Sequence, residues 1–150
     1  MSEPTLLLVE DDPNDVLLLR RAFRKANVTS RLQVVANGEL AISYLLGEND
    51  FANRENFPLP ALMLLDLKLP RRTGLEVLAW LRQQPLPLKR LPAVILTSSR
   101  QAVDINRAYE LGVNSYLVKP AEFEQLLEMI STFHHYWLTH NEKPEVQAQP

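Results

Sequence analysis

Four short apolar runs constrain this chain more than any other feature: Thr5–Val9, Ala61–Leu65, Ala93–Leu96 and Val113–Val118. Each is too short for a helix and is bounded by turn or acidic residues, so each reads as a buried strand. A fifth run, Leu32–Ala36, alternates more and suits a strand nearer a sheet edge. Between the runs lie segments with helical spacing and start signals. Asp12-Pro13 sets a cap residue before a proline at the first helical position, with Val16, Leu19, Phe23 and Ala26 following. Asn37 caps a second helix that Gly47 ends, and Thr73 caps a third that stops before Pro85 and Pro87. The fourth runs from about Gln101 to Leu111, with Gly112 as its left-handed cap. The fifth is expected from about Glu122 to Leu138.

Strands alternating with helices predict a doubly wound α/β fold, and near-continuous apolar strands predict a parallel sheet covered on both faces. In such a sheet the functional residues lie at the carboxyl ends of the strands. The first strand is followed by Glu10, Asp11 and Asp12, the third by Asp66, the fourth by Thr97, and the fifth by Lys119-Pro120. Any one of these residues alone would be a cap, a turn residue or a solvated charge. Asp12 is assigned that role, as the cap of the first helix. The others converge, and the convergence is the informative feature.

Crowded carboxylates repel, and a hard divalent ion such as Mg2+ relieves the repulsion. Asp66 is then the expected nucleophile, forming an acyl phosphate. Asp11 and Glu10 are expected to hold the metal together with Asp66 and the backbone carbonyl of Lys68. Thr97 is expected to donate its hydroxyl to a phosphoryl oxygen and Lys119 to supply a positive charge. Phosphoryl transfer asks little more of a protein than positioning and neutralisation. A phosphohydrolase with an aspartyl nucleophile would need a second acid two residues on, where Lys68 stands. The expectation is therefore a phosphoacceptor that catalyses only its own phosphorylation and dephosphorylation, not an enzyme with turnover.

The motifs Leu7-Leu8-Val9-Glu10-Asp11-Asp12, Leu64-Leu65-Asp66-Leu67-Lys68-Leu69-Pro70 with Gly74, Ile95-Leu96-Thr97-Ser98 and Tyr116-Leu117-Val118-Lys119-Pro120 together resemble the receiver domains of two-component response regulators. The resemblance spans roughly residues 5–139. It implies a flavodoxin-like sheet of strand order 2-1-3-4-5 with five helices, in a receiver domain over 1–139. It also implies that a sensor histidine kinase phosphorylates Asp66. Tyr116, on its own a half-buried strand aromatic, matches the family's switch aromatic. In the family the hydroxyl at the Thr97 position moves toward the phosphoryl group, the aromatic turns inward, and the face made by the fourth helix, fifth strand and fifth helix is altered. The segment Asp50-Phe51-Ala52-Asn53 and the end Phe133-His134-His135-Tyr136-Trp137-Leu138 resemble the single-domain regulators paired with cyanobacterial phytochromes. That narrower likeness implies a phytochrome-type kinase partner and a homodimer, with Tyr136 and Trp137 as expected dimer contacts.

The remaining expectations follow from composition. The chain has no cysteine, which removes disulfides and thiolate chemistry, and a net charge of −2, which gives no reason to expect nucleic acid as a partner. No apolar stretch reaches membrane-spanning length, so a cytoplasmic protein without a membrane partner is expected. His134, His135 and His140, and Arg20, Arg21, Arg24 and Lys25 on the first helix, read as solvated surface, although the resemblance gives that helix a kinase-docking role. Residues 140–150 carry two prolines and little apolar material and are expected to be disordered.

Overall fold

The computed structural model describes residues 3–147. Its sheet contains β1 (Thr5–Val9), β2 (Arg31–Val35), β3 (Leu62–Leu65), β4 (Ala93–Thr97) and β5 (Ser115–Val118). All pairings are parallel and the order is β2-β1-β3-β4-β5, as expected. Around it lie α1 (Pro13–Lys25), α2 (Gly38–Leu46), α3 (Gly74–Arg82), α4 (Ala102–Glu110) and α5 (Phe123–Phe133). Alternation along the strands divides the core into two layers. Leu7, Val9, Met63, Leu65, Ala93 and Ile95 pack with residues of α2 and α3. Leu6, Leu8, Leu62, Leu64, Val94 and Leu96 pack with α1 and α5 through Leu19, Phe23, Leu126 and Ile130. Burial on both faces is why these strands are apolar at nearly every position.

The helix starts follow their caps. Asp12 accepts from the amide of Asn14 at 2.9 Å and Asn37 from that of Leu40 at 2.8 Å. Thr73 and Glu76 form a reciprocal capping box, so α3 starts just after the loop that carries Asp66. Gly47, at φ 68°, ends α2 in the left-handed conformation.

The polar connection between α2 and β3 is more ordered than its composition suggests. Tyr44, Phe51 and Phe57 pack tilted and edge-on, with Tyr44–Phe51 centroids 5.1 Å apart. Arg54 donates to the carbonyls of Tyr44, Leu45 and Phe57, satisfying the open end of α2.

One feature departs from expectation near the C-terminus. The last helix does not run unbroken to Leu138: α-helical geometry stops at Phe133 and a π-helical turn spans His134–His140. The wider turn closes with the Asn141 amide on the Tyr136 carbonyl at 2.7 Å. In the stretch expected to be disordered, two contacts tie described residues to the domain. Arg90 Nε donates to the Glu145 carbonyl at 3.0 Å, and Val146 packs against the core. Charge and proline content hid these contacts, because one backbone acceptor and one valine supply them. Residues 148–150 of that expectation lie outside the described residues.

Candidate functional site: an acidic cluster closed by a lysine

Parallel pairing brings the carboxyl ends of β1, β3, β4 and β5 to one edge of the sheet. The Asp66 amide donates to the Val9 carbonyl at 3.1 Å and the Lys119 amide to the Thr97 carbonyl at 2.8 Å, continuing the ladders into the site. Carboxylate oxygens of Glu10, Asp11 and Asp66 all lie within 4.8 Å of one another. Glu10 is only 2% exposed, whereas Asp11 faces solvent. An all-oxygen set that is buried on one side and open on the other fits a hard divalent cation that keeps part of its water.

Lys119 closes the cluster. Its Nζ donates to Glu10 Oε1, to Asp15 Oδ2 at 2.9 Å and to Asp66 Oδ2 at 3.0 Å. The second oxygen of Asp66 accepts from the Leu67 amide at 2.7 Å, so both are held. Burial pushes Glu10 up to about 7; the bond from Lys119 opposes that shift without cancelling it. Burial pulls Lys119 down, but its bonds to Glu10 and Asp15 and the charge of Asp66 outweigh it and raise the ammonium above its ordinary value. The lysine is therefore charged at any physiological pH.

Thr97 is buried, and its hydroxyl accepts from the Ser99 amide at 3.5 Å. The Ser99 carbonyl accepts from the Tyr116 hydroxyl at 2.9 Å, while the Ser99 hydroxyl donates to Asp104 Oδ2 at 2.5 Å. Ser99 thus touches Thr97, Tyr116 and the first turn of α4. Burial, with the charges of Asp104 and Asp66, raises the Tyr116 hydroxyl's pKa, so it stays a donor.

Glycine permits a close approach here. A Cβ on Gly74 would meet the Asp66 carbonyl oxygen at 2.1 Å, so the start of α3 can press on this loop only without a side chain. Lys68 is exposed and its side chain takes no part in the cluster.

The structure brings together Glu10, Asp11, Asp66 and Lys119, and links Thr97 on β4 and Tyr116 on β5 through Ser99. Asp15 was missed by sequence reasoning. An acid in a helix's first turn is explained by the helix dipole alone, and nothing in its spacing points to a lysine 104 residues away. Tyr136 and Trp137, expected to act alike, differ. Trp137 folds back onto the layer beneath α5, while Tyr136 is 53% exposed with its ring edge-on to the indole, centroids 5.0 Å apart. Among the described residues no helix is long and apolar enough to cross a membrane.

Comparison with known proteins agrees with this geometry. The family model for the response regulator receiver domain matches residues 6–131. The response regulator Rcp1 of Synechocystis sp. is 38% identical over 133 residues, covering 89% of this chain and 88% of that protein; a solved structure of Rcp1 is a Mn(2+)-bound form. The response regulator RPA3017 in red light signaling of R. palustris superposes with a TM-score of 0.90 at 38% identity, covering 95% of this chain and 99% of that one. The phosphorylated cyanobacterial phytochrome response regulator RcpA superposes at 0.88 with 35% identity, covering 96% and 100%.

Proposed function

The chain belongs to the response regulator receiver-domain family, and from that premise we propose that it is a single-domain response regulator whose Asp66 accepts a phosphoryl group from a sensor histidine kinase. The observation that carries this reading is the placement of Lys119, whose ammonium bonds both Glu10 and Asp66 beside three converging carboxylates. Residues 1–139 form the receiver unit in this reading.

An Asp66 carboxylate oxygen attacks phosphorus. The bond from phosphorus to the kinase's imidazole nitrogen breaks, and its electron pair returns to the ring, which takes up a proton from solvent. Asp66 can do this because the Leu67 amide and Lys119 fix its orientation and leave the reacting group little entropy to lose. Glu10, Asp11, Asp66 and the Lys68 backbone carbonyl would hold Mg2+, which when bound supplies two positive charges against those gathering on the phosphoryl oxygens. Lys119 and the buried Thr97 hydroxyl donate to the product, and no residue is needed for turnover of other phosphoesters.

The signal leaves through Ser99. As Thr97 turns to the phosphoryl group, the Ser99 amide that it accepts from is drawn with it, and Tyr116 and Asp104 are bonded to the same residue. The face formed by α4, β5 and α5 changes as a result. Tyr136 borders that face and is the contact through which a second copy would pack, giving a homodimer; Trp137 supports it from below. The likeness to RcpA and RPA3017 over nearly the whole chain supports a phytochrome-type kinase as the donor.

Incubation with acetyl phosphate and Mg2+ tests the central assignment. An acid-stable, base-labile phosphoryl group is expected on the wild type and none on Asp66→Asn. Equal uptake by the two proteins would overturn it.

A further inference from the structure

Lys119 has three N–H donors, and all three are engaged, by Glu10, Asp15 and Asp66. Glu10 and Asp66 belong to the converging acids. Asp15 does not: it sits in the first turn of α1, outside the group whose oxygens meet. The helix dipole explains why an acid is tolerated there. It does not explain why this carboxylate reaches the ammonium that closes the site.

An ammonium with three acceptors has no donor left for a fourth. A phosphoryl group on Asp66 brings new oxygens, and Lys119 can bond one only by releasing a partner it now holds. Asp66 is itself the group being modified. Glu10 is 2% exposed, so water cannot take the lysine's place on its oxygen. Asp15 is 33% exposed, so water can replace the lysine at least cost. Space for that water exists: a cavity of about 40 Å³ lies between Asp15, Leu18, Leu19, Lys119, Pro120 and Leu126.

We propose, resting on the reading of Asp66 as phosphoacceptor, that Asp15 is a positioning residue that holds Lys119 in the unmodified protein and yields it to the phosphoryl group. Asp15 does not touch the reacting atoms. It favours the unmodified state, and the strength of its contact is subtracted from the affinity of the site for a phosphoryl group. Removing it makes the modified state easier to reach, whereas removing an ordinary structural ion pair would leave that balance alone or damage it.

Beryllofluoride, a non-covalent phosphoryl mimic, tests this on the full chain at saturating Mg2+ by titration calorimetry. Asp15→Asn is expected to bind it about 2–5-fold more tightly than wild type, the range that loss of a partly exposed ion pair allows. Asp15→Glu keeps the charge and is expected to stay within about twofold of wild type. Asp12→Asn removes the same charge from the same turn of chain, but from a carboxylate that caps α1, and is expected to leave the affinity unchanged. Unchanged or weaker binding by Asp15→Asn overturns the proposal. So does equal tightening by Asp12→Asn, which would make the effect one of net charge. A wild type that binds no beryllofluoride overturns the phosphoacceptor reading itself, and this proposal with it.

Discussion

Lys119 Nζ lies 3.0 Å from Asp66 Oδ2, although the two residues follow strands β5 and β3 and the whole of β4 runs between them. The long lysine stem spans that gap and sets one positive charge against acids from two other strands. Lys119→Ala leaves Glu10 and Asp66 without their cation. Breaking a buried pair from one side costs about 3 kcal/mol, which for a chain of this size lowers the melting temperature by roughly 6–12 °C. Mg2+ is expected to restore part of the loss. A metal-free melt within about 2 °C of wild type would show the lysine to be dispensable to the fold.

Glu10 gives the metal-free protein a pH dependence of definite sign. Its carboxyl is raised from 4.5 to about 7, chiefly by burial, so its protonated form favours the folded state. That contribution is full below about pH 4.5 and is lost as pH rises through about 7. Stability from this group therefore falls across that window. A cation favours the ionised form, so Mg2+ binding near pH 6 is expected to release about one proton. Calorimetry in two buffers of different ionisation enthalpy reads the release directly, and a value of zero would contradict the assignment.

Gly74→Ala tests the close packing of α3 on the Asp66 loop. The added carbon would sit 2.1 Å from the Asp66 carbonyl oxygen and 2.8 Å from Leu67 Cα, both backbone atoms with little room to move. A cost of about 2 kcal/mol or more is expected. Displacement of Asp66 by about 1 Å would slow phosphorylation on the order of 100-fold. Acetyl phosphate kinetics that match wild type would mean that the loop absorbs the methyl group.

Tyr116→Phe deletes the hydroxyl bonded to the Ser99 carbonyl. Chemical denaturation should show a loss of about 1 kcal/mol, while phosphorylation of Asp66 proceeds at close to the wild-type rate. If uptake of phosphate collapsed instead, Tyr116 would belong to the chemistry and not to the switch.

Tyr136 and Trp137 should separate in solution. Tyr136→Ala is expected to weaken self-association at least about tenfold, a loss of ~1.4 kcal/mol, with an unchanged melting temperature. Trp137→Ala removes a side chain packed on the layer beneath α5, so it should lower stability, by about 2–3 kcal/mol. Sedimentation velocity and thermal melts on the same samples distinguish the two. A wild type that remains monomeric with and without beryllofluoride would end the homodimer reading.

The parts legible in the sequence are those encoded locally. Asp12, Asn37 and Thr73 announce helix starts because capping is a matter of three or four neighbouring residues. The strand ends announce Glu10, Asp11, Asp66, Thr97 and Lys119 because a parallel sheet aligns them whatever the intervening segments do. What stayed hidden depends on reach between distant segments. Asp15 looks like any acid at a helix start until Lys119 is seen against it. Arg54 looks like a loop charge, yet its guanidinium fills the open end of α2. Tyr136 and Trp137 are neighbours in the chain, and only the packing shows the indole on the core layer and the phenol exposed.

The separation of 109 positions between Glu10 and Lys119 also orders the site in time. During synthesis the acids after β1 and β3 leave the ribosome well before the lysine beyond β5. A nascent or prematurely ended chain carries mutually repelling carboxylates with no ammonium to gather them. The last strand therefore acts as a seal of completeness, because the acidic cluster closes only once the residue beyond β5 is in place.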